Sequence, residues 1–313
     1  MTLSHVSPFK LGQRITLLDL APELITLICK SSEDLDTVFA LKNVCRNFNT
    51  ILNDWTIWAH LVSTCLYSPS TYRRHLFVDR PISTHSACEL KAMLMRWKKV
   101  ERGWKRAHRQ DFDVRRLSLP DDLIAPTRVL APGGRWLLLF SADLAASYFD
   151  LDSDCIDMET PSPFPLIPPH NPYGATSLHV SDPDVDQASP VISFRIALTY
   201  VGGNDMAEGP SFVEIWTITS LYDSNTKTSR LGAQKVAAFQ LNLACGLLDI
   251  YTLAGDSILF AAPYMFFHTP EYESGDRRFL YVNWRKAVNN SHQPCYRTVS
   301  VPARVRVLSP PRL

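Results

Sequence analysis

The sequence predicts an α+β chain built in sections. A small N-terminal bundle of short helices comes first, then a longer linking helix, then an all-β antiparallel region. Three observations carry this. Apolar residues recur at helical spacing up to about residue 115 and in short β-rich runs beyond it. Charge is nearly balanced, with 32 Lys+Arg against 31 Asp+Glu, and 46% of the 313 residues are hydrophobic. Such a composition folds around one large or two modest cores. The seven cysteines are scattered, with no C-x-x-C pair. That favours reduced thiols over a disulfide framework or a structural zinc site.

The same numbers exclude several classes. Balanced charge gives no electrostatic reason to expect nucleic acid or an acidic membrane surface as partner. No run reaches the ~18 uninterrupted apolar residues of a membrane span. The start, MTLSHVSPFKLGQR, lacks the basic and apolar regions of a secretory leader. A cytoplasmic or nuclear protein is expected.

A first helix is predicted from Pro22, because proline's missing N–H is unsatisfied at that position anyway. Glu23 suits the positive end of the helix dipole, and Leu24, Ile25, Leu27 and Ile28 supply apolar residues. The polar run SSEDLD caps a short second helix. Val44, Phe48, Ile51 and Leu52 predict a third helix, and Trp58, Leu61, Val62 and Cys65 a fourth. Helices this short bury little area, and the pieces are apolar on more than one side, so some of that surface needs a cover.

A longer helix is predicted at about residues 86–109. Leu90, Met93, Leu94, Trp97, Val100, Glu101 and Trp104 trace one side. Lys91, Arg96, Lys98, Lys99, Arg102, Lys105, Arg106 and Arg109 make the other side basic. Such a helix can face a membrane, calmodulin or nucleic acid. The plainer reading is a solvated face on a helix whose other side packs.

The β region reads as hairpins. RWLLLF and ASYFDLD flank SADLA, VISFRIALTYV and SFVEIWTIT flank GGNDMAEGP, and SILFAAPYMFF and RFLYVNW flank HTPEYESGD. Phe149, Trp216 and Trp284 recur near the ends of the second strands, a weak internal repeat. ATSLHV and QKVAAFQLNL add single strands. That makes about four strands per unit, the make-up of a propeller blade, although three units fall short of the usual ~4–8 blades. The proline-rich PSPFPLIPPHNP reads as a stiff surface insertion between units. The Gly pair of APGGRW reads as a turn.

The N-terminal segment resembles an F-box. Leu20, Pro22, Glu23, Leu24, Ile25 and Ile28 match the opening of that pattern, and Leu35 and Leu41 match its middle. Val44, Cys45, Arg46, Phe48 and Trp58 match its end, and the matches fall in order over about 45 residues. Ala21 stands where the family usually has proline. The resemblance implies helices that dock on the Skp-type adaptor of an SCF-type cullin-RING ubiquitin ligase, and through it on the cullin. It makes Leu20, Pro22, Glu23, Leu24, Ile25, Ile28, Leu41 and Val44 candidate contacts, with Cys45, Phe48 and Trp58 as internal packing. The later chain loosely resembles fungal F-box proteins, in which a basic, Trp-containing helix and a WD-like β-propeller follow.

The implied layout is an F-box-like helical domain at 14–65, a helical linker at 66–114, and a propeller-like, substrate-recruiting region at 115–313.

Catalytic motifs are missing from the sequence: no G-x-S-x-G, no Gly-rich phosphate loop and no H-E-x-x-H. The run SDPDVDQ alternates acids as a calcium loop does but lacks the glycine and distal Glu of an EF-hand, and reads as a solvated loop. The expectation is a non-catalytic adaptor without cofactor that binds an unknown protein substrate. The alternative is a β-propeller-type enzyme or ligand binder with a helical cap, which requires converging His and acidic groups.

Overall fold

The computed structural model describes residues 19–32, 35–67, 76–105, 127–152, 162–170, 178–201, 211–241, 249–261, 277–289 and 296–301. The chain is α+β, with helices first and antiparallel sheets after them. It divides into two compact units. One comprises Met1–Arg74 and Ile82–His108, the other His75–Pro81 and Arg109–Leu313.

The helical unit contains α1 (Pro22–Ser31), α2 (Leu35–Lys42), α3 (Arg46–Ile51), α4 (Trp55–Tyr67) and α5 (Ala87–Lys105). Its core is built from Ile25, Cys29, Leu35, Val38, Phe48, Leu52, Ile57, Trp58, Leu61, Val62, Leu90 and Leu94. The Trp58 indole N–H donates to the Leu52 carbonyl at 2.7 Å, which satisfies a polar atom deep in the core. The predicted third helix is shorter than its apolar stripe. Val44 falls outside α3, because Cys45 takes the extended N-cap position and its Sγ accepts from the Phe48 N–H at 3.4 Å, and Leu52 is the C-cap at the other end.

α5 starts at a capping box. The Ser86 N–H donates to Glu89 Oε2 at 2.7 Å, and the Glu89 N–H donates to Ser86 Oγ at 3.3 Å. Leu90 and Leu94 are buried, while Met93 and Trp97 are half-buried. Part of the basic side is already paired. Lys98 and Arg102 lie 3.3 and 2.5 Å from Asp36 of α2. The side chains of Glu101 and Trp104, the Arg106 and Arg109 end, and Cys155, Cys245 and Cys295 lie outside the described residues.

Among the described residues, the β unit holds three antiparallel sheets. The first runs β1 (Thr127–Leu130), β2 (Trp136–Phe140), β3 (Ala146–Asp150), β4 (Phe164–Ile167). The second runs β5 (Leu178–Val180), β7 (Ser193–Val201), β8 (Ser211–Asp223), β9 (Thr228–Leu241), with β6 (Asp184–Val185) also on β7. The third runs β10 (Asp249–Ala254), β11 (Ser257–Ala261), β12 (Arg277–Asn283), β13 (Tyr296–Val301). The predicted hairpins are β2–β3, β7–β8 and β11–β12, and their strands pair in register.

The second sheet is buried on both faces. Phe194, Ile196, Leu198, Tyr200, Trp216 and Ile218 pack with Trp136, Leu138, Phe140 and Tyr148 of the first sheet. Ala197, Val213 and Ile215 pack with Leu253, Ile258, Phe260 and Val282 of the third. Burial on both sides accounts for β7, whose residues from Ile196 to Val201 are all buried, where one-sided burial gives strict alternation.

Two expectations need correction. The proline-rich stretch is more than a surface insertion, because its centre is β4, paired with β3 through Ser147 and Tyr148. Pro165 is tolerated because β4 is an edge strand, where a missing N–H leaves no ladder bond unmade. Trp284 is not on a strand. It opens α6 (Trp284–Asn289), and its backbone and indole N–H groups both donate to the β10–β11 turn, at Asp256 and Gly255.

Residues 76–80 belong to the β unit although they lie between α4 and α5 in sequence. Leu76 and Val78 are buried, and the Val78 carbonyl accepts from the Ile192 N–H at 2.8 Å. Asp79 pairs with Arg135 and accepts from Ser229 Oγ at 2.8 Å, and its carbonyl accepts from Ser220 Oγ at 2.5 Å. Arg80 donates to the Tyr222 hydroxyl at 3.2 Å. Gly133, at φ +86°, lies where a Cβ would stand 3.1 Å from Phe77, so this turn needs glycine for conformation and for space.

Candidate functional site

α1 carries two apolar faces. Ile25 and Cys29, four residues apart, turn inward and are buried. Leu24, Leu27 and Ile28 lie on the other side and are 49%, 60% and 44% exposed. Side chains at i, i+3 and i+4 share one face of a helix, so these three form a stripe. Val44, in the turn after α2, is 64% exposed. Single exposed aliphatics are ordinary, but three on one helical face of a small unit are the kind of surface that marks an interaction site.

The other sequence-predicted contacts are placed as follows. Pro22 and Glu23 are exposed in the first turn, and Leu20 and Leu41 are half-buried. Ile25 is 2% exposed and belongs to the unit's own core, which removes it from the contact set. Phe48 and Trp58 are buried, and the half-buried Cys45 caps α3. Leu27, the second most exposed member of the surface, was not among the expected contacts. Its spacing three residues from Leu24 was the available signal.

A second constellation lies between the first two sheets of the β unit. Glu214 of β8 has a side chain only 4% exposed. Its Oε2 accepts from the Trp216 indole and from His170 Nε2, each at 2.9 Å. Its Oε1 accepts from Lys235 Nζ at 2.9 Å and from the Tyr200 hydroxyl at 3.4 Å. His170 Nδ1 faces the Pro168 carbonyl at 3.0 Å, so both ring nitrogens point at acceptors. Burial alone would raise the Glu214 pKa, but the bonds from Lys235, His170 and Trp216 outweigh it and hold the carboxyl below its ordinary range. Four donors occupy the roughly four acceptor positions of a carboxylate. The group is thereby a filled anchor between strands, with no lone pair left to take a substrate's proton.

Two of the alternating acids, Asp184 and Asp186, are also engaged. Asp184 pairs with Arg195 at 2.6 Å and accepts from the Gly255 N–H at 3.1 Å, and Asp186 accepts from the Ala188 N–H at 3.0 Å. His179 faces Asp249 at 3.1 Å. Among the described residues, no group of three or more His, Cys, Asp or Glu is placed to hold a metal ion. Nor, among them, is any helix long and apolar enough to cross a membrane.

No protein-family model matches the chain, and no curated protein matches it. The functional reading therefore rests on its own residues.

Proposed function

We propose that the chain is a non-catalytic adaptor subunit of an SCF-type cullin-RING ubiquitin ligase. In this reading the helical unit docks on the Skp-type adaptor, and through it on the cullin. The β unit recruits a protein substrate. The observation that carries the reading is the exposed Leu24, Leu27 and Ile28 stripe on α1, with Val44 beyond it, in the segment whose residue order resembles an F-box. An amphipathic helix laid against a complementary surface binds through such i, i+3, i+4 anchors. Pro22, Glu23, Leu20 and Leu41 flank the stripe and belong to the proposed contact region.

The β unit supports the second half of the reading. Three sheets of at least four antiparallel strands, the middle one packed on both faces, suit the blades of a divergent β-propeller. Phe149 and Trp216 lie on the third strand of their sheets, and Trp284 directly follows the third strand of the last. Loops at the rim of such a domain are its natural recognition surface.

The alternative, a β-propeller-type enzyme or ligand binder, draws on the convergence of His170, Glu214 and Lys235. The filled valence of Glu214 ranks it second. Co-purification of the full chain with a Skp-type adaptor tests the preferred reading. Binding that is lost in Leu24→Asp and Ile28→Asp supports it, and a folded chain that binds no such adaptor overturns it.

A further inference from the structure

The outer side of α5 enters neither reading. Its inner side packs on α4, with Leu90 and Leu94 buried and Trp97 half-buried. Glu101 continues that row at the i, i+4, i+7, i+11 spacing. The outer side holds Ala92, Met95, Arg96, Lys99 and Val100, all exposed, with Met95 at 47% and Val100 at 51%. Arg96 and Lys99 follow Ala92 at i+4 and i+7 and form one cationic row. At about 100° per residue, Met95 and Val100 stand about 140° apart, one on each side of that row. Charge is also concentrated on this helix. From Lys91 to Arg102 the sequence has five Lys and Arg against one acid, whereas the whole chain has 32 against 31. Asp36 of α2 answers Lys98 and Arg102 at the flank. Glu89 is bound to Ser86 in the capping box.

We propose that this outer face of α5 docks an acidic amphipathic helix of a partner protein. The chemistry of the face selects that occupant. A row of cations calls for carboxylates at matching i, i+3 or i+4 spacing. The aliphatic flanks call for apolar side chains on either side of those carboxylates. Opposite charge then steers the encounter, and the Met95 and Val100 contacts fix its register. Like charge keeps a second copy of α5 away. A membrane surface suits a helix with one continuous apolar face, and here the cations divide it. Nucleic acid would answer the cations but would set Met95 and Val100 against a charged backbone. The face lies on a different helix from the α1 stripe, so the proposal does not rest on adaptor docking.

Fluorescence anisotropy with the full, folded chain tests it. The probe is a dye-labelled synthetic helical peptide with Glu at i, i+4 and i+7 and Leu on both sides of that row. A second peptide carries Gln in place of every Glu. The Glu peptide is expected to bind at least about tenfold more tightly, and to lose most of that advantage in about 0.5 M salt. Arg96→Glu and Lys99→Glu are each expected to lower its affinity at least about fivefold at unchanged melting temperature. Met95→Ala combined with Val100→Ala is expected to lower it about threefold. Lys286→Glu, exposed on α6 of the other unit, is expected to change nothing. No binding of the Glu peptide, equal binding of the Gln peptide, or undiminished binding by a folded Lys99→Glu chain overturns the proposal. So does a loss in Lys286→Glu as large as that in Lys99→Glu. Tighter binding of phosphatidylserine vesicles or duplex RNA than of the Glu peptide, abolished by Lys99→Glu, overturns it in favour of that other class.

Discussion

Leu24 and Ile25 are neighbours in sequence with opposite surroundings, one half-exposed on the apolar stripe of α1 and one sealed in the core. Removing side-chain volume from Ile25 opens a cavity that the small bundle cannot refill. Ile25→Ala is expected to lower the stability of the helical unit by about 2–4 kcal/mol, read by chemical unfolding. Ala21 points to a different weakness. It occupies the N-cap of α1 with extended backbone and no side-chain cap bond. Ala21→Asp is expected to raise helical-unit stability by about 1 kcal/mol. At Glu214 the consequence is a pH dependence. Its folded pKa lies below the unfolded one, so the network's stability is complete above the unfolded value and is lost as pH falls through the folded value. Urea midpoints of the wild type should drop on acidification over that window. The folded Glu214→Gln chain should start lower and show a smaller drop.

Periodicity could not separate Leu24 from Ile25, because α1 is apolar on both sides and the sequence does not say which side has company. The spacing of apolar residues placed α5 only at about residue 86, and the Ser86 and Glu89 capping box fixes its start in the structure. The hairpins were legible for the opposite reason to α1. Alternation and polar turn residues are local, and β2–β3, β7–β8 and β11–β12 need only those to pair. β4 was hidden by its prolines, since edge position is decided by neighbours rather than by the strand itself. Residues 76–80 were hidden by distance. Their partners Ile192, Ser220 and Ser229 lie more than a hundred residues along the chain. The dependence of the β unit on this segment is testable. Asp79→Ala removes a carboxylate from Arg135 and an acceptor from Ser229, both partly buried. It is expected to lower β-unit stability by about 1–3 kcal/mol. A melt monitored through the tryptophans would reveal an unchanged unit if the segment contributed nothing.

At the scale of the whole molecule, composition and the change of periodicity along the chain established the α+β order, and the folded chain has it. The exposed α1 stripe became visible only with the fold, since exposure is what remains after the other elements have packed. The proposed function divides labour between two units, one with an exposed apolar stripe on α1 and the other built of stacked sheets. Calorimetric titration of the full chain with a Skp-type adaptor measures that claim most directly. The wild type is expected to bind. Leu24→Asp and Ile28→Asp are each expected to weaken binding at least about tenfold with unchanged melting temperatures, because a buried interface anchor is worth more than ~1 kcal/mol. A folded wild-type chain without measurable affinity, or variants that bind as tightly as the wild type, would contradict it.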